Sequence, residues 1–564
     1  MACSQNIASE DYADFIARFY AFSTESFSPG SAACIDFVSN QYAVTHFPLS
    51  DVPPISMSIY EYFTIPKLYT LLDNTAMERS GILQTFSQPS LGYKGRGTII
   101  GIVDTGIDYT NPLFQNRDGT SRILGIWDQS IPGSGVAEGN MQEQIQYGTE
   151  YQKFQIDAAL ASSSPFSIVP SMDENGHGTT LAAIAGGNET ESLNFTGAAP
   201  ECFFGIVKLK QAKKYLRDYY IVPDEADAFQ EDDIMLGIKY LLSLARSYSL
   251  PITLLLGLGT NMGSHDGTSP LASYLSYLST SPGIITVVAA GNETGFGHHY
   301  FGIISSEEEF DEVELRVGSG ETGFTLELWA REPELYSIGF ISPTGQRIER
   351  IPNNSREEHK ISFLLEETVI SLEYSVSESG TGSQLIMMRF QAPTPGIWRI
   401  LVYNALYIQG EYHMWLPVRG FISEDTFFLR SNPNTIITEP GNAPIVLTIG
   451  AYNHRDGSLY IHSSRGYSRS NVVKPDLAAP GVDIDVPGSR RSSGTSVAAA
   501  FTAGAAANLL SWAITGEHDM QMNTSVAKSF LVRGAGRNPT FSYPNREWGY
   551  GTLDLYNSFI QLRG

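Results

Sequence analysis

Four short stretches of this chain carry residue types that together suit nucleophilic attack on a carbonyl. One is Ser492-Ser493-Gly494-Thr495-Ser496, which runs into the alanine-rich segment Val497-Ala498-Ala499-Ala500-Phe501-Thr502-Ala503-Gly504. That segment reads as a buried helix, which puts Ser496 at a helix N-terminus, where backbone N–H groups and the dipole favour developing negative charge. A small, unhindered hydroxyl there suits a nucleophile, although serine is also the commonest helix cap. A second stretch, Asp173-Glu174-Asn175-Gly176-His177-Gly178-Thr179-Thr180, leaves the His177 imidazole clear between glycines. The run Leu181-Ala182-Ala183-Ile184-Ala185-Gly186 after it reads as another buried helix. In the third, Ile99-Ile100-Gly101-Ile102-Val103 leads into Asp104, and in the fourth, Val287-Val288-Ala289-Ala290-Gly291 leads into Asn292. An aspartate would orient an imidazole, and an asparagine amide would donate to an oxyanion. Taken singly, Asp104 also fits an Asx turn or cap, and Asn292 a turn after glycine.

These residues need a scaffold that brings strand ends together. From Thr98 onward the chain offers short, continuous apolar runs at Thr98–Val103, Phe203–Leu209, Ile252–Leu258, Ile284–Ala290 and Ile445–Ile449. Runs apolar on both faces indicate a parallel sheet covered by helices. Between them, Glu231–Arg246 sets Ile234, Ile238, Leu241, Leu242 and Ala245 on one face after an acidic first turn, and Pro270–Leu278 is a second helix. The predicted fold class is therefore α/β, a doubly wound parallel sheet, with chemistry at the carboxyl ends of its strands.

The rhythm changes between about Tyr300 and Asn434. There Val313–Val317, Phe324–Ala330, Tyr336–Ile341, Lys360–Leu365, Thr368–Val376, Gln384–Phe390, Ile397–Tyr403 and Tyr412–Val418 alternate in hydropathy between Gly/Pro/Asn/Ser turns. They predict an inserted all-β sandwich or jelly roll. Ahead of the α/β region, Asp11–Tyr20 places Tyr12, Phe15, Ile16 and Phe19 at helical spacing, and Gln41–Phe47 reads as a strand. The expected division is a small α+β domain over 1–70, an α/β domain over 71–299 and 435–564, and the insert over 300–434.

The 564 residues carry a formal charge of −24, which argues against nucleic-acid or anionic-membrane partners. No basic, apolar leader is legible after Met1, and no apolar run reads as a bilayer span. These observations predict synthesis in the cytoplasm. Cys3, Cys34 and Cys202 are odd in number and form no metal spacing, so reduced thiols are expected. His298-His299 reads as a solvated loop pair.

The strings Val103-Asp104-Thr105-Gly106-Ile107-Asp108, Asn175-Gly176-His177-Gly178-Thr179, Ala290-Gly291-Asn292 and Gly494-Thr495-Ser496 occur in the order Asp, His, Ser. With Lys474-Pro475-Asp476-Leu477-Ala478-Ala479-Pro480-Gly481 and Trp548-Gly549-Tyr550-Gly551, they resemble the subtilisin-like serine proteases over about residues 75–300 and 435–560. The resemblance implies Ser496 as nucleophile, His177 as general base and then acid, and Asp104 as its orienter. It implies an oxyanion hole from the Asn292 side chain and the Ser496 N–H. Gly257-Leu258-Gly259 matches the substrate-binding edge strand, with Gly257 where many relatives have serine. Val497 stands where methionine is usual and Ala500 where proline is typical. The family's calcium loops find no match, so no metal and no cofactor are assigned.

Within that family, several stretches resemble the Csp germination proteases of spore-forming Clostridia. They are Asp108–Phe114 running on to Arg122–Gln129, Gly257–Gly267, Ser496–Ala500, and the insert between Asn292 and Ser496. This implies a serine endopeptidase whose N-terminal domain is a propeptide cut by the enzyme itself, near residues 60–75. It also implies a protein zymogen as substrate, the proform of a spore cortex-lytic hydrolase, and packaging in the spore. Two alternatives stand beside it: a catalytically silent scaffold or sensor, and a broad-specificity intracellular subtilase.

Overall fold

The structure, a computed structural model, describes residues 8–18, 34–71, 80, 82–86, 88, 91–136, 145–190, 195–353, 358–487 and 492–561. Its centre is an eight-stranded sheet. In chain order the strands are β1 (Ile99–Asp104), β2 (Ile123–Asp128), β3 (Thr149–Gln152), β4 (Phe203–Lys208), β5 (Ile252–Leu256), β6 (Ile284–Ala289), β7 (Leu447–Tyr452) and β8 (Leu477–Pro480). Their order across the sheet is β8-β7-β6-β5-β1-β4-β2-β3, parallel throughout except for the edge strand β3.

Both faces are covered, which is why the strands read as unbroken apolar runs. In β1 the alternation of side chains sends Ile100 and Ile102 to one core and Ile99 and Val103 to the other. The first core packs helices α1 (His177–Gly186) and α3 (Thr495–Leu510); the second packs α2 (Glu231–Tyr248) and Leu271, Tyr274 and Leu275 of the next helix. Every residue of α3 is buried, so it shows no amphipathic stripe. With its continuation, the segment Thr495–Thr515 has the length and hydropathy of a bilayer span. That corrects the expectation of no such run, but 89% of its most apolar 18-residue stretch lies inside the fold, where a core helix belongs.

The N-terminal residues form a three-stranded antiparallel sheet, Tyr12–Arg18, Tyr42–Pro48 and Cys34–Phe37, with the middle strand last in sequence. The expected helix over Asp11–Tyr20 is therefore a strand where it is described. Its apolar residues do fall at helical spacing, but Asp14 is also buried, bound to His46 and Lys213, and that inward carboxylate hides the strand pattern. Ile16, Tyr42 and Val44 join the α2 core, with Tyr42 edge-on to Tyr274. Cys34 is disulfide-bonded, against the expectation of reduced thiols; Cys202 is free and buried, and burial pushes its thiol up to about 11. Cys3 lies outside the described residues.

The insert is a sandwich of a six-stranded and a five-stranded antiparallel sheet. The inner faces meet through residues such as Phe324, Leu326 and Leu328 on one side and Val313, Leu315 and Phe340 on the other. Gly323–Ala330 is buried along its whole length because its outer face also packs. Trp329, Leu385 and Met387 form a core with Tyr219 and Tyr220 of the α/β unit and Met57 and Tyr62 of the N-terminal region. Three further strands complete the insert: His299–Ile303, the exposed Arg347–Ile351 and the short Phe427–Phe428.

Candidate active site

β1 ends on Asp104, whose Oδ1 accepts from the Thr105 N–H at 2.8 Å. α1 starts on His177, whose Nδ1–H donates to the same oxygen at 2.7 Å. Asp173 joins the two loops: its Oδ1 accepts from the Gly176 N–H and the Thr105 hydroxyl, each at 2.8 Å, and its Oδ2 accepts from the Thr179 N–H at 2.8 Å. The Thr105 hydroxyl oxygen in turn accepts from the Gly178 N–H at 3.0 Å. A side chain at Gly178 has no room, because its Cβ would stand 2.2 Å from the Gly106 carbonyl oxygen. That close approach of two backbones brings the imidazole onto the carboxylate.

Ser496 is the second residue of α3, and its Oγ lies 3.3 Å from His177 Nε2, so the hydroxyl donates to the ring. Asp104 and Ser496 are fully buried and His177 is 6% exposed. With Nδ1 donating to a carboxylate, the neutral ring is held in the tautomer whose Nε2 accepts a proton. At the end of β6, Asn292 Oδ1 accepts from the Thr495 N–H at 3.0 Å and from its hydroxyl at 3.2 Å. The amide's oxygen is thereby engaged, and its NH2 is the end that donates.

Gly257 lies against these groups: a Cβ there would meet Ser496 Cβ at 3.1 Å, His177 Cε1 at 3.2 Å and Leu181 Cδ1 at 2.7 Å. Leu258–Gly259 forms a two-residue strand antiparallel to Leu68–Leu71, with Leu258 opposite Leu71 and Gly259 opposite Thr70. The other edge of Leu68–Leu71 pairs with Phe229–Gln230. The structure thus brings Asp104, His177, Ser496, Asn292 and Gly257–Gly259 to one cleft, and a strand from the N-terminal region lies in it.

Sequence reasoning missed Asp173, Thr105 and Thr495. The signal for Asp173 was present, an aspartate a few residues ahead of a helix start. His298 and His299 are each only 1% exposed, which corrects their reading as a solvated pair. Their partners Glu293, Asn432 and His413 come mostly from distant sequence. Burial drops His299 to about 3. Among the described residues no three His, Cys, Asp or Glu side chains are grouped to hold a metal.

The sequence model of the subtilase family matches residues 95–314 and 422–551, more than half of the chain. The chain belongs to the subtilase family. The match breaks across the insert, and both halves carry parts of the cleft. This subtilase is similar in structure to the CspB protease of Clostridium perfringens, with a TM-score of 0.74 and 29% identity, covering 86% of this chain and 96% of that one. A subtilisin-like protease of Arabidopsis thaliana, SBT4.3, is 25% identical over 415 residues, 67% of this chain and 52% of its own. C5a peptidase of Streptococcus pyogenes is 22% identical over 441 residues, 73% of this chain and 34% of its own. The subtilase spans about half the length, or less, of these curated relatives.

Proposed function

We propose that this subtilase is a serine endopeptidase that cuts its own N-terminal domain and then activates a protein zymogen. Ser496 attacks the peptide carbonyl while His177 Nε2 takes its proton; the same proton then goes to the leaving amine. Asp104 stabilises the imidazolium that forms in between. The tetrahedral oxyanion is received by the Asn292 NH2 and the Ser496 N–H, a pair of donors worth several kcal/mol, about 100–1,000-fold in turnover for one of them.

One observation carries the self-processing reading: Leu68–Leu71 is added as a strand between Phe229–Gln230 and Leu258–Gly259. Main-chain pairing of this kind is how an extended peptide is presented to an edge strand. With Thr70 opposite Gly259 and Leu71 opposite Leu258, the strand points toward Gly257 and so toward Ser496, which supports a cut a little beyond Leu71. The residues that follow lie outside the described set. On this reading residues 1 to about 70 are a propeptide that stays docked, and the inserted sandwich, which we read as a jelly roll, clamps it through Met57 and Tyr62. The likeness to the CspB protease supports the Csp group, and with it a cortex-lytic zymogen and packaging in the spore.

N-terminal sequencing of purified wild type and Ser496→Ala tests this. Wild type begins between residues 72 and 76 and the variant retains its N-terminal domain covalently. An uncut wild type, or identical processing of Ser496→Ala, refutes self-cleavage.

A further inference from the structure

The residue after the oxyanion asparagine is built into a junction of three chain segments. Glu293 is 2% exposed. Its Oε2 accepts from His298 Nδ1–H at 2.7 Å and from Asn261 Nδ2–H at 3.3 Å, and its Oε1 accepts from the Arg419 N–H at 3.2 Å. Asn261 closely follows Leu258–Gly259, and Arg419 belongs to the last part of the insert. Asn261 Nδ2 also donates to the Leu416 carbonyl at 3.2 Å, and the Leu416 N–H donates to the His298 carbonyl at 2.9 Å. A carboxylate is buried at little cost only where donors such as these replace its water. The peptide around Asn292 is braced from the far side as well. The Ser464 N–H donates to the Gly291 carbonyl at 2.9 Å, and its hydroxyl oxygen accepts from the Glu293 N–H at 3.0 Å.

We propose that Glu293 is a positioning residue for the oxyanion donor, and that through it the inserted sandwich holds both Asn292 and the substrate-binding edge in register. It does not touch the reacting atoms. Its carboxylate locks the backbone that carries Asn292 against Asn261 on one side and Leu416–Arg419 on the other. Placement matters because a shift of about 1 Å in a catalytic group costs about 100-fold in rate. The insert is then part of the catalytic apparatus, and a change in its seating is felt at the oxyanion hole. The proposal rests on the reading of Asn292 as that hole's side-chain donor.

The test is a double-mutant cycle on the full chain, reading the rate constant at which a fluorophosphonate labels Ser496. In that reaction Ser496 Oγ gives its proton to His177 and bonds to phosphorus, the P–F bond breaks and fluoride leaves, and the phosphoryl oxygen sits in the oxyanion hole. Glu293→Gln keeps the shape but turns an NH2 toward groups that also donate. Labelling is expected to slow at least tenfold in the wild-type background and less than twofold in an Asn292→Ala background. An equal factor in both backgrounds, or no slowing in either, overturns the proposal. Asn292→Ala labelling at the wild-type rate instead overturns the oxyanion reading beneath it. Should Glu293→Gln fail to fold, His298→Ala and His298→Asn decide the matter, because an asparagine amide reaches where Nδ1 stood. Slow labelling with alanine and recovery with asparagine supports the proposal; equal rates overturn it.

Discussion

Adding one methyl group at Gly178 is the sharpest test of how this cleft is assembled. The new Cβ would stand 2.2 Å from the Gly106 carbonyl oxygen, about 0.8 Å inside the 3.0 Å that such contacts do not breach. Its next neighbours, the Gly106 nitrogen at 3.2 Å and Asp104 Cβ at 3.3 Å, belong to the same turn. No flexible side chain is available to rotate away, so the two loops must separate by most of that distance. The same two loops carry His177 and Asp104, now 2.7 Å apart, so their separation strains that contact and the bond from the Gly178 N–H to Thr105 Oγ1. Overpacking of this kind costs about 1–3 kcal/mol of stability, and a misplacement approaching 1 Å costs about 100-fold in rate. The control is Gly176→Ala, two residues away. That site has open space around it and a φ of +85°, so alanine there costs about 1 kcal/mol in backbone strain without moving the triad. Both variants, with wild type, are compared by turnover of a quenched peptide of residues 64–78 and by thermal unfolding. Gly178→Ala at more than a third of the wild-type kcat, or the same loss in Gly176→Ala, refutes the argument.

On the proposed mechanism His177→Ala is expected to be as inactive on that peptide as Ser496→Ala, because the three groups would act as a unit, while Asn292→Ala retains about 0.1–1% of kcat. The N-terminal sheet is expected to loosen in alkali. Burial opposes charge on His46, but its bonds to Asp14 and Asp36 outweigh that and raise it to about 9. Asp232, close by, is held protonated up to about 8 by burial and by Asp233 and Asp14. Both groups bind a proton more tightly folded than unfolded, so stability falls as pH rises, from about 4 to 8 for Asp232 and from about 6.5 to 9 for His46. The protection factors of the Tyr12–Arg18 amides, taken relative to the base-catalysed intrinsic exchange rate, should therefore be lower at pH 9.5 than at pH 7, and unchanged protection refutes the assignment. Asp476→Ala is expected to cost about 3–5 kcal/mol, read from chemical denaturation, because it strands buried Lys474 beside it. Lys474 also donates to the Val446 carbonyl and to Thr448, so this loss would loosen β7 from β8; an effect under about 1 kcal/mol contradicts it.

The parts of the fold that were legible in the sequence are those whose burial obeys one simple period. Pro270–Leu278 has the helix bounds its sequence indicates, with Pro270 in the first turn and the Ser269 hydroxyl accepting from the Ala272 N–H. The eight segments read as strands in the insert all contain strands, since each sheet there turns one face to a common core. Ile123–Asp128, a fully buried strand inside the sheet, escaped although its run is apolar; the others that escaped had a weaker signal. Thr149–Gln152 is a mostly half-exposed edge of four residues, Leu477–Pro480 ends on a proline, and Phe427–Phe428 is too short to show a period. At the cleft, the residues that would touch substrate stood out because glycines flank them. Those that hold them, Asp173 and Glu293, look like ordinary loop acids until strands hundreds of residues apart are brought together.

The insert leaves the α/β unit and returns to it within a single hydrogen bond, from the Thr438 N–H to the Ala290 carbonyl at 3.0 Å. Beyond that point β7 must line up beside β6, with Leu447 opposite Val287. For a flexible chain of that separation, closing the gap is an entropic obstacle and a slow step. A sandwich that folds by itself shortens the gap to almost nothing before the sheet needs it. As the polypeptide leaves the ribosome, the first six strands must wait for the sandwich to form, and Ser496 emerges later still. The order of synthesis thus places Ser496 after the whole of the insert, so the cleft cannot be completed until the insert has been made.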